Sequence, residues 1–150
     1  MPRILSIDYG KKRTGLAVTD PLQIIANGLT TVETKDLFDF LSQYVQKEEV
    51  ERIVVGKPMQ PNGQPSENLA RVENFVNRWR KARPSIPIEY YDERFTSVLA
   101  HRAMLESGIG KMARRDKALV DRISATIILQ SYMDSMEYSA DRVSEVFNLK

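Results

Sequence analysis

The stretch Arg3-Ile4-Leu5-Ser6-Ile7-Asp8-Tyr9-Gly10-Lys11-Lys12-Arg13-Thr14-Gly15-Leu16-Ala17-Val18-Thr19 decides how the chain begins to fold. Ile4, Leu5 and Ile7 make a nearly continuous apolar run, as expected of a strand covered on both faces. Tyr9-Gly10-Lys11-Lys12 is turn chemistry, and residues 14–19 resume as a strand through Leu16, Ala17 and Val18. A third extended segment, 24–32, is interrupted by Asn27-Gly28, a pair suited to a bulge or tight turn. Three short strands with tight connections make an antiparallel meander.

Beyond the meander the hydrophobic period changes. Leu37, Leu41, Tyr44 and Val45 fall at helical spacing, so residues 36–48 read as an amphipathic helix. Arg52 to Val55 is a short buried strand, closed by a loop containing Gly56, Pro58, Pro61, Asn62 and Gly63. Leu69, Val72, Phe75, Val76 and Trp79 mark a second helix, with Ser66 placed to cap its N-terminus. Residues 86–91 form a fifth strand, and a third helix begins near Thr96. A long final helix starts near Lys117, and its Val120, Ile123, Ile127, Ile128 and Met136 spread apolar surface almost all round, the mark of deep packing. The order β-β-β-α-β-α-β-α-α predicts an α/β fold, a mixed five-stranded sheet with helices on both faces. One domain over 1–138 and a loosely docked tail over 139–150 account for the chain.

Composition narrows the chemistry. A chain of 150 residues, 42% hydrophobic and 28% charged, is long enough to bury one core without a staple. Zero cysteines exclude disulfides, thiolate zinc sites and a cysteine nucleophile. The single histidine, His101, cannot build a zinc site from imidazoles and reads as a surface residue. No apolar run reaches the ~20 residues that span a bilayer, and the first residues meet a charge too early for a signal peptide. A cytoplasmic protein is expected, its chemistry carried by carboxylates, hydroxyls, lysines or a hard metal.

Asp8 ends a buried strand and precedes a glycine turn, at the rim where ligands bind in α/β sheets; a plain turn-forming Asp is the alternative. Asp92 and Glu93 end the fifth strand. Alternation sends them to opposite faces, Asp92 with Ile88 and Tyr90, Glu93 with Glu89 and Tyr91, so at most one joins Asp8. Asp121 lies in the last helix among Leu119, Val120, Ile123 and Ala125, where a charge is costly unless paired or metal-bound; an ion pair with Lys117 is the structural alternative. Two acids at strand ends and one on a packed helix, with no soft ligand nearby, suit Mg2+ or Mn2+. A pair of such ions activates water and stabilises the leaving oxygen of a phosphodiester.

The net charge of +2 conceals an asymmetry: residues 78–115 hold nine Lys and Arg against four Asp and Glu. Lys11, Lys12 and Arg13 form a second basic cluster just after Asp8. Beside a carboxylate rim, this cluster and Lys111, Arg114 and Arg115 suit a polyanion. Gly108 and Gly110 give the latter segment the make-up of a substrate flap. Arg78, Arg80 and Lys81 read as ordinary solvated surface.

Four motifs, in order, carry a family resemblance. Asp8-Tyr9-Gly10 with Arg13-Thr14-Gly15-Leu16-Ala17 resembles the opening motif of the YqgF family, the RuvC-like branch of the ribonuclease H-like nucleases. Gly56-Lys57-Pro58 with Asn62-Gly63 resembles its central loop, and Asp92-Glu93-Arg94-Phe95-Thr96-Ser97 its most distinctive motif. Lys117 with Val120-Asp121 and Ile127-Ile128-Leu129-Gln130 resembles the closing motif. The resemblance implies a ribonuclease H-like fold and a metal-dependent nuclease, processing the 5′ end of pre-16S rRNA or resolving Holliday junctions. It implies Asp8, Glu93 and Asp121 as catalytic metal ligands, and Arg13, Arg94 and Thr96 as phosphate or neighbouring contacts. Lys57 stands where many members have an apolar residue, a departure that leaves the loop's contacts open to differ from theirs. Ser124, one turn after Asp121, replaces a paired acid found in RuvC. Structured RNA, branched DNA, the ribosome or its precursor, and a second copy of the chain are the partners implied.

Two other classes compete. A non-catalytic nucleic-acid or ribosome-binding module is compatible with the same domain. Actin-like and sugar-kinase ATPases open with a similar Asp-x-Gly hairpin, but they need two such domains and this chain has room for one.

Overall fold

The computed structural model describes residues 2–58, 66–92 and 116–147, the last stretch from 137 as backbone only. Strands β1 (Arg3–Asp8), β2 (Arg13–Thr19) and β3 (Ala26–Glu33) form the expected meander. Helix α1 (Leu37–Lys47), strand β4 (Val50–Lys57), helix α2 (Leu69–Ala82), strand β5 (Ile88–Asp92) and a long helix α3 (Lys117–Phe147) follow. The helix expected from Thr96 lies outside the described residues.

One sheet is built in the order β3-β2-β1-β4-β5. The hairpin partners β1–β2 and β2–β3 are antiparallel, while β4 joins β1 and β5 joins β4 in parallel. Parallel neighbours need crossovers, and α1 and α2 supply them. This is the expected mixed five-stranded sheet, with helices on both faces.

Alternation along β1 sorts the two faces. Leu5 and Ile7 point into a cluster with Leu37, Leu41, Val72, Val76 and Trp79 of α1 and α2. Ile4, with Ala17 and Val54, points the other way, into a cluster with Ala125, Ile128, Leu129, Tyr132 and Met133 of α3. On β5 the same rule holds: Ile88 and Tyr90 join the first cluster, Tyr91 the second. Tyr132 clamps α3 to the far edge. Its hydroxyl donates to Glu89 and accepts from Arg52 at 2.9 Å.

Four details depart from the sequence reading. Ile24 and Ile25 precede β3 rather than belong to it, because the Asp20 carboxylate takes their backbone N–H groups at 2.7 and 2.8 Å and holds a turn. Ser66 does not cap α2: the helix starts after Asn68, and the Ser66 hydroxyl finds no partner among the described residues. Asn68 donates its side-chain amide to the Tyr9 carbonyl instead, at 2.8 Å. On α3 the buried stripe is Ala125, Ile128, Leu129, Tyr132 and Met133, while Met136 is exposed. The bulge foreseen at Asn27-Gly28 is present: the β2–β3 register slips so that Leu16 faces Thr30 but Ala17 faces Gly28. No described helix is long and apolar enough to cross a membrane.

Candidate metal and nucleic-acid site

The site begins with the parity of β1. Ser6 lies on the α3 face, where its buried hydroxyl donates to the Ala125 carbonyl at 2.7 Å. Asp8, two residues on, therefore points toward α3 at the end of the strand. Its partner across the hairpin is Gly15. A Cβ on Gly15 would stand 2.0 Å from the Asp121 carbonyl oxygen and 3.0 Å from the Asp121 Cβ. The missing side chain is what lets α3 descend onto β2 at this point. Asp121 heads the same stripe as Ala125 and Leu129, at i+4 spacing, so it faces the sheet. Cross-strand Cα partners are roughly 5 Å apart, which brings the Asp8 and Asp121 side chains to one rim.

Other contacts fix the frame. Thr31 of β3 donates to the Ala118 carbonyl at 2.6 Å, a second point where a sheet hydroxyl meets the backbone of α3. The loop between β1 and β2 is tied down by Thr34, whose hydroxyl donates to the Gly10 carbonyl at 2.7 Å and whose N–H reaches the Lys12 carbonyl at 2.9 Å. Gly10 is required in that turn, since a Cβ there would meet the Arg13 carbonyl oxygen at 2.2 Å.

The electrostatics follow from this crowding. Burial, with the negative charge of Asp121 adding to it, pushes the Asp8 carboxyl up to about 7. Among the described residues Asp8 has no hydrogen-bond donor and no cationic partner. Burial also raises Asp121, opposed by its hydrogen bond to Arg13 and by the charges of Arg13 and Lys117. Its ion-pair partner is Arg13, Nε to Oδ2 at 3.2 Å, not Lys117, which contributes only its field. One carboxylate is thus compensated and its neighbour is not. Two converging carboxylates short of positive charge fit a hard divalent cation. Among the described residues no third His, Cys, Asp or Glu joins them.

The other expected residues divide three ways. Lys11, Lys12 and Arg13 stand together at the rim, lining with Glu33 and Lys35 a depression of about 520 Å³. Lys57 turns to the α2 face, its ammonium 5.9 Å from the centre of the Tyr90 ring, away from the carboxylates. Glu93, Arg94, Thr96, Lys111, Arg114 and Arg115 lie outside the described residues. Asp92, at the end of β5, continues the parity of Ile88 and Tyr90, the face opposite Asp8. Sequence reasoning missed Ser6, Gly15 and Thr31 as the seat of α3. Their common signal is small or hydroxylic side chains on a single face of the meander.

A family model described as RuvX, Holliday junction resolvase, matches residues 2–135. The chain belongs to this nuclease family. It is 66% identical over 138 residues to a Phocaeicola vulgatus protein named "putative pre-16S rRNA nuclease", an alignment spanning 92% of this chain and 99% of that one. A Bacteroides fragilis protein of the same name is 61% identical over 135 residues, covering 90% and 98%. Among solved structures, the fowlpox virus resolvase in complex with Holliday junction DNA superposes with a TM-score of 0.54 at 13% identity, covering 89% of this chain and 98% of that one. RuvC of T. thermophilus, also bound to a Holliday junction substrate, gives 0.52 at 16% identity, covering 89% and 96%. At such identities these two establish the fold they share with this chain.

Proposed function

We propose that this RuvX-family nuclease is a divalent-metal-dependent endonuclease of structured nucleic acid, and that its task is trimming the 5′ end of pre-16S rRNA in the cytoplasm. The observation that carries the reading is the convergence of Asp8 and Asp121 at one rim of the sheet, next to Lys11, Lys12 and Arg13. Asp8 and Asp121 would hold magnesium or manganese, and Glu93 is proposed as the third ligand. The parity of β5 supports that choice over Asp92, since Glu89 and Tyr91, not Asp92, share the face of α3. Held by these carboxylates, such a cation would supply Lewis-acid activation of a water and charge neutralisation at the leaving oxygen.

The chain's own groups then have separate tasks. Lys11 and Lys12 are exposed at the rim and free to take phosphates of the substrate backbone. Arg13 pairs with Asp121 and opposes the upward push that burial gives its carboxyl. Arg94, Thr96, Lys111, Arg114 and Arg115 are proposed as further phosphate contacts, and Lys57 as a contact to substrate passing over α2. Ribosomal precursor RNA is preferred because the close relatives carry that name. The family description supports a second reading, resolution of four-way DNA junctions, for which two symmetric cuts favour a homodimer.

The test is cleavage of precursor RNA and of a synthetic four-way junction, side by side, by the parent and by Asp8→Asn and Asp121→Asn. Loss of several kcal/mol of transition-state stabilisation corresponds to ~10³-fold or more in rate, so both variants should be inactive while retaining the parent's circular dichroism. A variant cutting at the parental rate removes its residue from the mechanism. A parent that binds RNA tightly and never cuts it, across magnesium and manganese titrations, makes the domain a binding module.

A further inference from the structure

The other side of the rim carries a cleft that the nuclease reading leaves unused. Tyr9 follows Asp8 directly, but alternation turns it to the opposite face, where its ring lies 5.7 Å from that of Phe75. Phe38 of α1 sits edge-on to Phe75 at 6.5 Å. Between these rings and the outer face of α2 is a cleft of about 330 Å³. Its remaining wall is a polar stripe, Arg71, Asn74 and Arg78, at the i, i+3, i+7 spacing that keeps residues on one helix face.

The chemistry of this cleft is specific. Lys35 at its mouth is paired with Glu33 at 3.2 Å, but Arg71 and Arg78 have no carboxylate partner among the described residues, and no acid among them lines the cleft. The Arg78 guanidinium carbon stands over the Phe38 ring, 3.9 Å from its centre. A guanidinium in contact with an aromatic face, with further rings beside it, offers a surface on which a nucleobase stacks. Along the helix Arg71 and Arg78 are ~10 Å apart at 1.5 Å per residue, far enough to meet two different phosphates of one strand. The volume is near the lower end of small-ligand sites and admits single bases, not a duplex.

We propose that this cleft binds unpaired nucleotides flanking the scissile bond, their bases on the Arg78–Phe38 and Tyr9 surfaces and their phosphates on Arg71 and Arg78. The inference rests on the nuclease reading and sharpens it. A strand held at the carboxylates crosses the rim between Asp8 and Tyr9 and must leave its duplex to enter the cleft. The preferred substrate is therefore one with single-stranded flanks, as a precursor RNA end presents, over a junction whose arms are all paired.

Fluorescence anisotropy in the presence of a chelator, so that nothing is cut, tests it with two RNA probes. One is a short blunt duplex; the other is the same duplex with single-stranded extensions at both ends. The parent should bind the extended probe about tenfold more tightly, the order of one stacked base. In the double variant Arg71→Ala/Arg78→Ala that ratio should fall to about one. The two residues are exposed on α2 and alanine favours helix, so the fold is kept; circular dichroism verifies it. For the extended probe, the slope of log affinity against log salt should shrink by about 1.4 as two phosphate contacts are lost. Equal affinity of the parent for both probes, or an unchanged ratio in the double variant, overturns the cleft and leaves the nuclease reading standing. Failure of the parent to bind either probe overturns the nucleic-acid reading itself.

Discussion

The two faces of the sheet are built on different principles. Toward α1 and α2 the side chains are large and apolar, with Leu5, Ile7, Ile53, Val55, Leu41 and Trp79 all fully buried. Toward α3 the sheet still buries Ile4 and Val54, but nearer the rim of the meander its side chains are small or hydroxylic: Ser6, Gly15, Ala17, Gly28 and Thr31. There the helix comes close enough for sheet hydroxyls to meet its carbonyls at 2.6 and 2.7 Å. The first face stabilises the domain by removing apolar surface from water. The second gives up some of that burial where Asp121 comes down beside Asp8, and ionising both carboxylates there costs stability. The bulk of the apolar core and the proposed chemistry thus fall on opposite sides of one sheet, and mutations should separate them.

The largest separation is expected at Gly15. Gly15→Ala places a methyl group where the backbone of α3 now lies, and backbone cannot swing aside as a flexible side chain can. Overpacking of this kind costs ~3 kcal/mol, and displacing Asp121 should abolish cleavage as well. Leu41→Ala on the other face should cost a comparable ~3 kcal/mol through the cavity it leaves, yet leave cleavage per folded molecule at the parental rate. Urea denaturation paired with activity at low denaturant measures both. Equal losses of activity in the two variants would mean that the faces are not independent.

How legible this division was depends on the range of the interaction. Asp8 could be found because an apolar run ends in an acid before a glycine, all within a few residues. Strand alternation predicts opposite faces for Asp92 and Glu93, and β5, described as far as Asp92, obeys that alternation. The sheet-facing stripe of α3 was harder. With apolar residues almost all round, the period selects no face, and Val120, Ile123 and Ile127 looked as good as Ala125 and Leu129. The partner of Asp121 was not readable at all: Lys117 is the local candidate at i−4, whereas Arg13 is 108 residues away and arrives only through the fold. The cleft by Arg71 and Arg78 needed α1 beside α2, and neither helix announces the other.

The pH dependence of stability tests the strained pair at intermediate size. The Asp8 carboxyl rises from its ordinary 3.8 to about 7 on folding, so between those values the folded protein binds a proton that the unfolded chain releases. Stability in the absence of divalent cation therefore declines through this window as pH rises, and levels off above about 7. Asp8→Asn has no such proton to lose. Its melting temperature relative to the parent should climb from about pH 4 to about pH 7 and then hold constant. Because a bound cation favours the ionised carboxylate, saturating magnesium should move the parent's decline to lower pH while leaving the variant's profile unchanged. A difference between the two proteins that does not vary with pH would show that Asp8 is ionised at no cost, contrary to its place beside Asp121.

The smallest effect distinguishes the two ways in which α3 is seated. Ser6→Ala removes the hydroxyl that donates to the Ala125 carbonyl without adding bulk. A buried neutral hydrogen bond contributes about 1 kcal/mol net, and the denaturation midpoint should fall accordingly. If the close approach at Gly15 sets the position of Asp121, the helix keeps its place in this variant and cleavage drops no more than a few-fold. If the hydroxyl sets it, cleavage should fall as steeply as in Gly15→Ala despite the smaller loss of stability. The first outcome is expected, because a hydrogen bond tolerates a few tenths of an ångström of drift whereas contact between two backbones does not.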